Sequence, residues 1–244
     1  MLTQRIAAKV THRAGVSQKM RTLLFPMKIL LVAATAGEIS ATSQWITERA
    51  EAGLAVPDVL ISGVGMLATT FSLTRRLCKE KYDLVIGAGV AGAFDLTLNL
   101  GECVLVNEEQ LGDLGAEDHD QFLDVFSLGL DHPDADPFSN GRLLAPHVAL
   151  PVNIDRLRRV RGLTVQHVSG NAKTIASRKA RYGAQIESME GAALHYVCLQ
   201  MKVPFIQIRS ISNYVTPRDR DAWEMGAALA ALNGHLNELL RGLR

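Results

Sequence analysis

The sequence is poor in several things that would point elsewhere. It has only three cysteines in 244 residues, Cys78, Cys103 and Cys198. They have no paired or ligand-like spacing, which argues against a disulfide scaffold or a zinc knuckle and fits a reduced, cytoplasmic setting. The formal net charge of +1 is too small to steer nucleic acid or an anionic membrane, so neither partner is expected. Long apolar runs are also lacking. The longest are strand-sized, well short of the roughly 20 residues of a membrane helix. There is no internal repeat and no low-complexity tract. What remains is an ordinary globular composition, 48% hydrophobic and 21% charged, in a chain long enough to bury a sizeable core in one domain.

Residues 1–26 read apart from the rest. Arg5, Lys9, His12, Arg13, Lys19 and Arg21 precede any acidic residue. The segment is either a transit-like leader or an overlong start with no fold of its own. The domain is expected over 27–244.

Met27–Thr35 reads as a buried strand, with further strands at Val59–Ser62, Leu84–Ile86, Val104–Val106, Thr164–Val168 and Phe205–Arg209. Helices are expected at Gly37–Ala52, Met66–Lys79, Met189–Met201 and Ala222–Leu240. Alternating strands and helices indicate an α/β fold, a single domain of three layers around a central mixed, largely parallel sheet. Ligands of such sheets sit outside the carboxyl ends of the strands. Those ends carry Thr35–Glu38, Gly63–Met66, Gly87–Gly92, Ser169–Asn171 and Arg209–Asn213. Gly112–Pro151 is acidic and contains three prolines before Pro151. Its length suggests a loop excursion across the mouth of a site.

Gly87-Ala88-Gly89-Val90-Ala91-Gly92 matches the dinucleotide fingerprint, and Glu108 follows at a suitable distance. Only Ala93–Glu102 separates the motif from the next strand, however. A crossover unit takes about 30 residues, so there is no room for the phosphate-binding helix. The motif is better explained as a glycine strand-end that lets backbone approach a ligand closely.

The richest stretch is Ile186-Glu187-Ser188-Met189-Glu190-Gly191-Ala192-Ala193, read as the start of a small-residue helix. Val203–Arg209 and Ser210-Ile211-Ser212-Asn213 follow. They supply an acid to accept from a polyol, a thioether for its apolar face and an amide at a strand's end, a set that suits a nucleoside. Bland alternatives stand beside this one. Glu38 and Glu190 can each be first-turn acids favoured by the helix dipole, and Asn213 can be a turn residue bonding its own backbone.

Five ordered pieces, KILLVAATAGEI, ISGVGMLAT, DLVIGAGVAGAF, ESMEGAALHYVC and VPFIQIRSISN, resemble the purine nucleoside phosphorylase and nucleosidase superfamily. NEEQLGDLGAED and SNYVTPRDRDAW are similar to its futalosine hydrolase subfamily. The resemblance implies a nucleoside phosphorylase-like fold, a homo-oligomer, no cofactor and no metal. It also implies cleavage of an N-ribosyl bond with release of hypoxanthine, in menaquinone biosynthesis. By position, Glu38 matches the carboxylate that activates water, and Arg209 an arginine near that water. Glu190 matches the acid on the ribose hydroxyls and Met189 the thioether against the sugar. Asn213 falls where adenine-specific members carry aspartate. Its amide can donate to a 6-oxo group and its carbonyl accept from a protonated N7, which favours a hypoxanthine-type base.

Phosphorylases of the superfamily hold phosphate with arginine and serine or threonine. Gly87 and Val90 stand at those positions and cannot bond an anion, which favours water as nucleophile. Gly63, Gly89, Val90 and Asn171, at strand ends, join the substrate-binding candidates. Arg218, with Arg220 and Arg142, is a candidate for the carboxylate on futalosine's 5′ side, or else part of a solvated charged turn. No histidine is assigned to catalysis or metal. The remaining enzyme readings are a methylthioadenosine or other purine nucleosidase and a phosphorylase; a purine-binding sensor is the non-enzyme alternative.

Overall fold

The computed structural model describes residues 27–119, 121–151, 154 and 156–243. The basic leader expected at 1–26 lies outside them. Among the described residues, ten strands and five helices follow in chain order. They are β1 Ile29–Ala33, α1 Ser40–Glu51, β2 Asp58–Ile61, α2 Met66–Lys79, β3 Leu84–Ala93, β4 Cys103–Leu111, β5 Gly115–Asp118, β6 Gln121–Asp124, β7 Leu143–Leu144, β8 Arg158–Thr164, α3 Ala172–Tyr182, β9 Ile186–Ser188, α4 Gly191–Gln200, β10 Phe205–Tyr214 and α5 Met225–Gly242.

The central sheet runs β10-β4-β8-β9-β3-β1-β2, and β10 also pairs with β3. That extra pairing closes β3, β10, β4, β8 and β9 into a ring, from which β1 and β2 extend as a wing. The β1–β2, β1–β3, β3–β10, β4–β8 and β8–β9 pairs are parallel. The β4–β10, β3–β9 and β4–β7 pairs are antiparallel, so the sheet is mixed and largely parallel. Among the described residues, no helix is long and apolar enough to cross a membrane.

β1 and the first half of β3 are buried on both faces, which is why they read as continuous apolar runs. Leu31, Ile86 and Ile208 pack with Ile39 and Ile46 near and in α1, and with Leu232, Leu236 and Leu240 of α5. Leu30, Val32 and Val85 face the other way, onto Leu73 and Leu77 of α2 and Leu194 and Val197 of α4. Alternation along each strand thus fills two helical layers. Val104, Val106, Val160, Ile186 and Ile211 form a further cluster contributed by the ring strands.

Several boundaries differ from the sequence reading. β3 does not stop at Ile86 but runs through the glycine motif to Ala93. The motif is therefore strand interior rather than a strand-end turn, and no helix intervenes before β4. β10 likewise continues to Tyr214 and takes Asn213 into the sheet. The strand expected at Thr164–Val168 lies earlier, at Arg158–Thr164, where Val160, Gly162, Leu163 and Thr164 are buried between exposed arginines. The start of the expected helix at Met189 is replaced by strand β9 and a sharp turn, so α4 begins at Gly191. Helix α3 was not foreseen. Asn171 caps it by accepting from Thr174 N, and Gly183 ends it in the left-handed region at φ 56°, the usual pair of helix stops. The acidic stretch has structure of its own: β5 and β6 form a hairpin and β7 pairs with β4.

Candidate active site

The site grows from the turn after β1. Glu38 does not lie in the first turn of α1, whose N-cap is Ile39. Its carboxylate folds back instead: Oε2 accepts from Thr35 N at 2.9 Å and from Thr35 Oγ1 at 3.2 Å. Its Oε1 lies 3.4 Å from Val90 N on β3. The turn is pinned from behind by Asn233 of α5, whose Nδ2 donates to the Glu38 carbonyl at 2.9 Å. Asn233 Oδ1 accepts from Thr42 N at 2.8 Å.

Arg209 reaches the same segment of β3 from β10. Its Nη1 donates to Val90 O at 3.3 Å and lies 3.5 Å from Glu190 Oε2. Glu190 stands at the N-cap of α4 but makes no cap bond with its own helix. Its Oε1 accepts from Gly65 N at 2.9 Å. Both acids stand at or just before a helix N-terminus, but their side-chain hydrogen bonds go elsewhere, Glu38 to Thr35 and Val90 N and Glu190 to Gly65 N. Gly89 makes the arrangement possible, because a Cβ there would run into Arg209 Nη1 and lie 2.8 Å from Glu38 Oε1. Gly63 and Gly65 have φ of 89° and 87°, a turn open to glycine at little cost.

Glu38, Gly89, Val90, Arg209 and Glu190 therefore come together, with Gly65 at the rim. Met189 adjoins them in the chain and is half-buried. Asn213 and Arg218 instead line a neighbouring cavity with Gly92, Glu187, Ser169 and Trp223. Asn213 Oδ1 accepts from Ser212 Oγ at 2.8 Å, and Nδ2 donates to Tyr214 O at 3.0 Å. One amide hydrogen and one carbonyl lone pair are left over. Arg218 is exposed and stacks over Trp223, 5.6 Å from the ring centroid. Arg142 is paired with Glu108 at 3.3 Å. The Asn171 side chain is taken up in capping α3.

Four polar residues beside the site were missed. Glu187 accepts from Ser169 N at 2.8 Å and Ser169 Oγ at 2.6 Å, and pairs with Arg178 Nη1 at 3.0 Å. Reading residues 186–190 as strand and turn would have given Glu187 and Glu190 separate destinations. Glu109 is fully buried, holding Gln207 Nε2 and Thr164 Oγ1 at 2.9 Å each. Burial pushes its carboxyl up to about 7. In a run of four polar residues, Asn107 to Gln110, nothing marks it as inward. Asn233 likewise carries no local signal within its helix. His195 is buried, with Nδ1 3.0 Å from Leu143 O, and burial holds its imidazole down at about 4. Among the described residues, no group of three or more His, Cys, Asp or Glu side chains is placed to hold a metal.

Fold and side chains together define an α/β protein with a cluster of two carboxylates and an arginine over β3 and β10, contributed from the segments after β1 and β9 and from β10 itself. The chain belongs to the phosphorylase superfamily, whose family model matches residues 28–242. It is 36% identical over 188 residues to the futalosine hydrolase of Streptomyces coelicolor, covering 75% of this chain and 77% of that one. Two solved structures share the fold. One is a 5′-methylthioadenosine/S-adenosylhomocysteine nucleosidase from Colwellia psychrerythraea in complex with adenine, with a TM-score of 0.72 at 20% identity over 90% and 96% of the two chains. The other is the futalosine hydrolase of Helicobacter pylori, with a TM-score of 0.67 at 18% identity over 89% and 97%.

Proposed function

We propose that this chain hydrolyses the N-ribosyl bond of futalosine and releases hypoxanthine, as a cytoplasmic homo-oligomeric enzyme of menaquinone biosynthesis. The observation that carries the reading is the convergence of Glu38 and Arg209 on the Val90 backbone, with Glu190 beside Arg209. Cleaving an N-ribosyl bond builds positive charge on the sugar and negative charge on the departing base. Carboxylates beside the sugar stabilise the first, and donors around the base the second. In this reading Glu190 accepts from the ribose hydroxyls and Met189 covers the sugar. Glu38 takes a proton from the attacking water, and Arg209 holds the Glu190 carboxylate in place. Asn213 offers its spare donor and acceptor to O6 and N7 of the base.

Water is favoured over phosphate by packing as well as composition. Leu194 of α4 fills the space over Gly87, with Cδ1 3.3 Å from where a Cβ would stand, so no anion-binding side chain fits there. The similarity to the Streptomyces enzyme supports the substrate. The test is incubation with futalosine, its 6-amino analogue and inosine, with and without phosphate, following free base by chromatography. Phosphate-independent release of hypoxanthine from futalosine is expected. Release only with phosphate, or only from the 6-amino analogue, overturns the reading.

A further inference from the structure

Glu109 takes no part in the chemistry above, yet it lies beneath the turn that carries Glu190. It is fully buried on β4, and so are Thr164 of β8, Gln207 of β10 and His195 of α4. The backbone around its carboxylate is bare. A Cβ at Gly191, the first residue of α4, would run into Glu109 Oε1 and stand 2.8 Å from Gln207 Nε2. One at Gly162 of β8 would stand 2.6 Å from Glu109 Cδ. The glycine that follows Glu190 therefore rests on the Glu109 carboxyl group, an approach open only to a residue without a side chain.

The hydrogen bonds of this group do not balance while Glu109 is ionised. His195 Nδ1 lies 3.0 Å from Leu143 O. Nδ1 thus carries the ring's hydrogen, and Nε2 of the neutral ring is an acceptor. Gln207 donates from Nε2 to Glu109 Oε1 at 2.9 Å, and its side chain is also a hydrogen-bond neighbour of the His195 ring. Two buried acceptors, Gln207 Oε1 and His195 Nε2, are left without a donor, an arrangement that folded proteins avoid. A half-turn of the amide pairs both, provided that Glu109 carries a proton. The amide nitrogen then donates to His195 Nε2, and the amide oxygen accepts from the Glu109 hydroxyl. On the other side, Thr164 Oγ1 donates to Glu109 Oε2 at 2.9 Å and accepts from Ala192 N of α4 at 2.7 Å.

Charge points the same way. Arg209 of β10 and Glu190 at the N-cap of α4 both act on Glu109, the arginine favouring its anion and Glu190 opposing it. His195, on the far side of Gln207, is kept neutral by burial. Arg209 Nη1 already lies 3.5 Å from Glu190 Oε2. One guanidinium does not neutralise two buried carboxylates, and a proton on Glu109 leaves it to Glu190.

We propose that Glu109 is a positioning residue, kept as the neutral acid, whose hydroxyl donates to Gln207 and completes a hydrogen-bonded chain that starts and ends on α4, at His195 and Ala192, and so holds Glu190 at the sugar. This rests on the proposed function and deepens it. When the proton is lost to solvent, the chain breaks at Gln207 and a second anion faces Arg209. Glu190 then loses its fixed place against the ribose hydroxyls.

The test measures kcat and KM for futalosine at about pH 6 and about pH 8.5, on either side of the group's titration, for the wild type and Glu109→Gln. Infrared spectra of both proteins are taken at the same two pH values. The wild-type KM is expected to rise roughly tenfold, the worth of one hydrogen bond to a charged group, with a smaller change in kcat. The amide of Glu109→Gln donates to Gln207 and accepts from Thr164 at either pH, so most of that rise disappears. A glutamate that only supports the fold gives instead a uniform loss at both pH values. The wild type also shows the carbonyl band of a neutral carboxylic acid at the lower pH, absent from the variant and gone at the higher pH. A wild-type KM that stays level, an equal rise in a folded variant, or a missing acid band overturns the proposal. If the variant does not fold, the wild-type KM and acid band at the two pH values decide. Hydrolysis without the acid band removes the inference and leaves the proposed function. If futalosine is not hydrolysed, the proposed function falls and the infrared spectra alone decide whether Glu109 holds its proton.

Discussion

Arg209 Nη1 lies 3.5 Å from Glu190 Oε2, and the two residues are only 4% and 9% exposed. The pair joins β10 to the N-terminus of α4, directly over the glycine of β3 that makes room for it. The contact runs through Nη1 alone, which also donates to Val90 O, while Arg209 Nε is buried without a hydrogen-bond partner. The second carboxylate, on Glu38, meets the same backbone segment from the loop after β1. Three elements far apart in sequence therefore meet at one stretch of β3, and their side chains respond differently to substitution.

Arg209→Met leaves Glu190 buried without its counter-ion. Breaking a buried pair in this way costs about 3–5 kcal/mol. Denaturant melts should show that loss, and most of it should vanish in the double variant with Glu190→Gln. A single variant as stable as the wild type contradicts the burial of the pair. Glu190→Gln alone keeps an oxygen for Gly65 N but loses the charge. Losing one charged hydrogen bond to the ribose should lower kcat/KM by about 10- to 100-fold.

Glu38→Gln addresses a different step. The amide can still accept from Thr35 N, so the turn should persist and the melting temperature should hardly move. The amide cannot take a proton from water. Loss of a general base typically costs about 10²–10⁴-fold, and it should fall on kcat with KM nearly unchanged. A fall confined to KM would reassign Glu38 to substrate binding.

Asn213→Asp replaces the spare amide donor with a carboxylate. Against a 6-oxopurine nucleoside that puts an acceptor where the O6 partner stood, and protonation of the acid serves a 6-amino base better. The ratio of kcat/KM for inosine over adenosine should fall by at least about tenfold. An unchanged ratio places Asn213 outside the base contacts and leaves it as the in-strand residue that bonds Ser212 and Tyr214.

Much of this was legible because buried parallel strands leave a simple mark. β1 and the helix α2 lie within two residues of where apolar pattern puts them, since both faces or one stripe must be apolar for those elements to pack. The Glu38, Arg209 and Glu190 cluster was reachable only through resemblance. No local pattern says that Glu190 bonds Gly65, 125 positions away. The glycine motif misled on its secondary structure, because glycine signals a turn when read alone. Here it answers Leu194, Arg209 and Glu38 crowding one strand from above. Glu109 was invisible for the same reason, being a buried acid made tolerable by partners on β8 and β10.

Glu109 and His195 set opposing pH dependences in one window. Burial lifts the Glu109 carboxyl from 4.5 to about 7. The fold keeps a proton there that the unfolded chain has released, so this stabilising share is complete below about 4.5 and lost as pH rises through about 7. Burial lowers the His195 imidazole from 6.5 to about 4. Its share is complete above about 6.5 and lost as pH falls through about 4. Each is worth about 3 kcal/mol at its limit, and between about 4.5 and 6.5 the two slopes nearly cancel. Glu109→Gln removes one of them. Relative to the wild type, the variant should gain about 2–3 kcal/mol between pH 5 and pH 8, measured by urea melts at the two pH values. Its own stability should then fall on acidification from pH 6.5 towards 5, where the wild type stays level in these two contributions. Parallel pH profiles for the two proteins would mean that Glu109 ionises in the fold as it does in water. The contacts with Gln207 and Thr164, together with the Arg209 charge, would then outweigh the cost of complete burial.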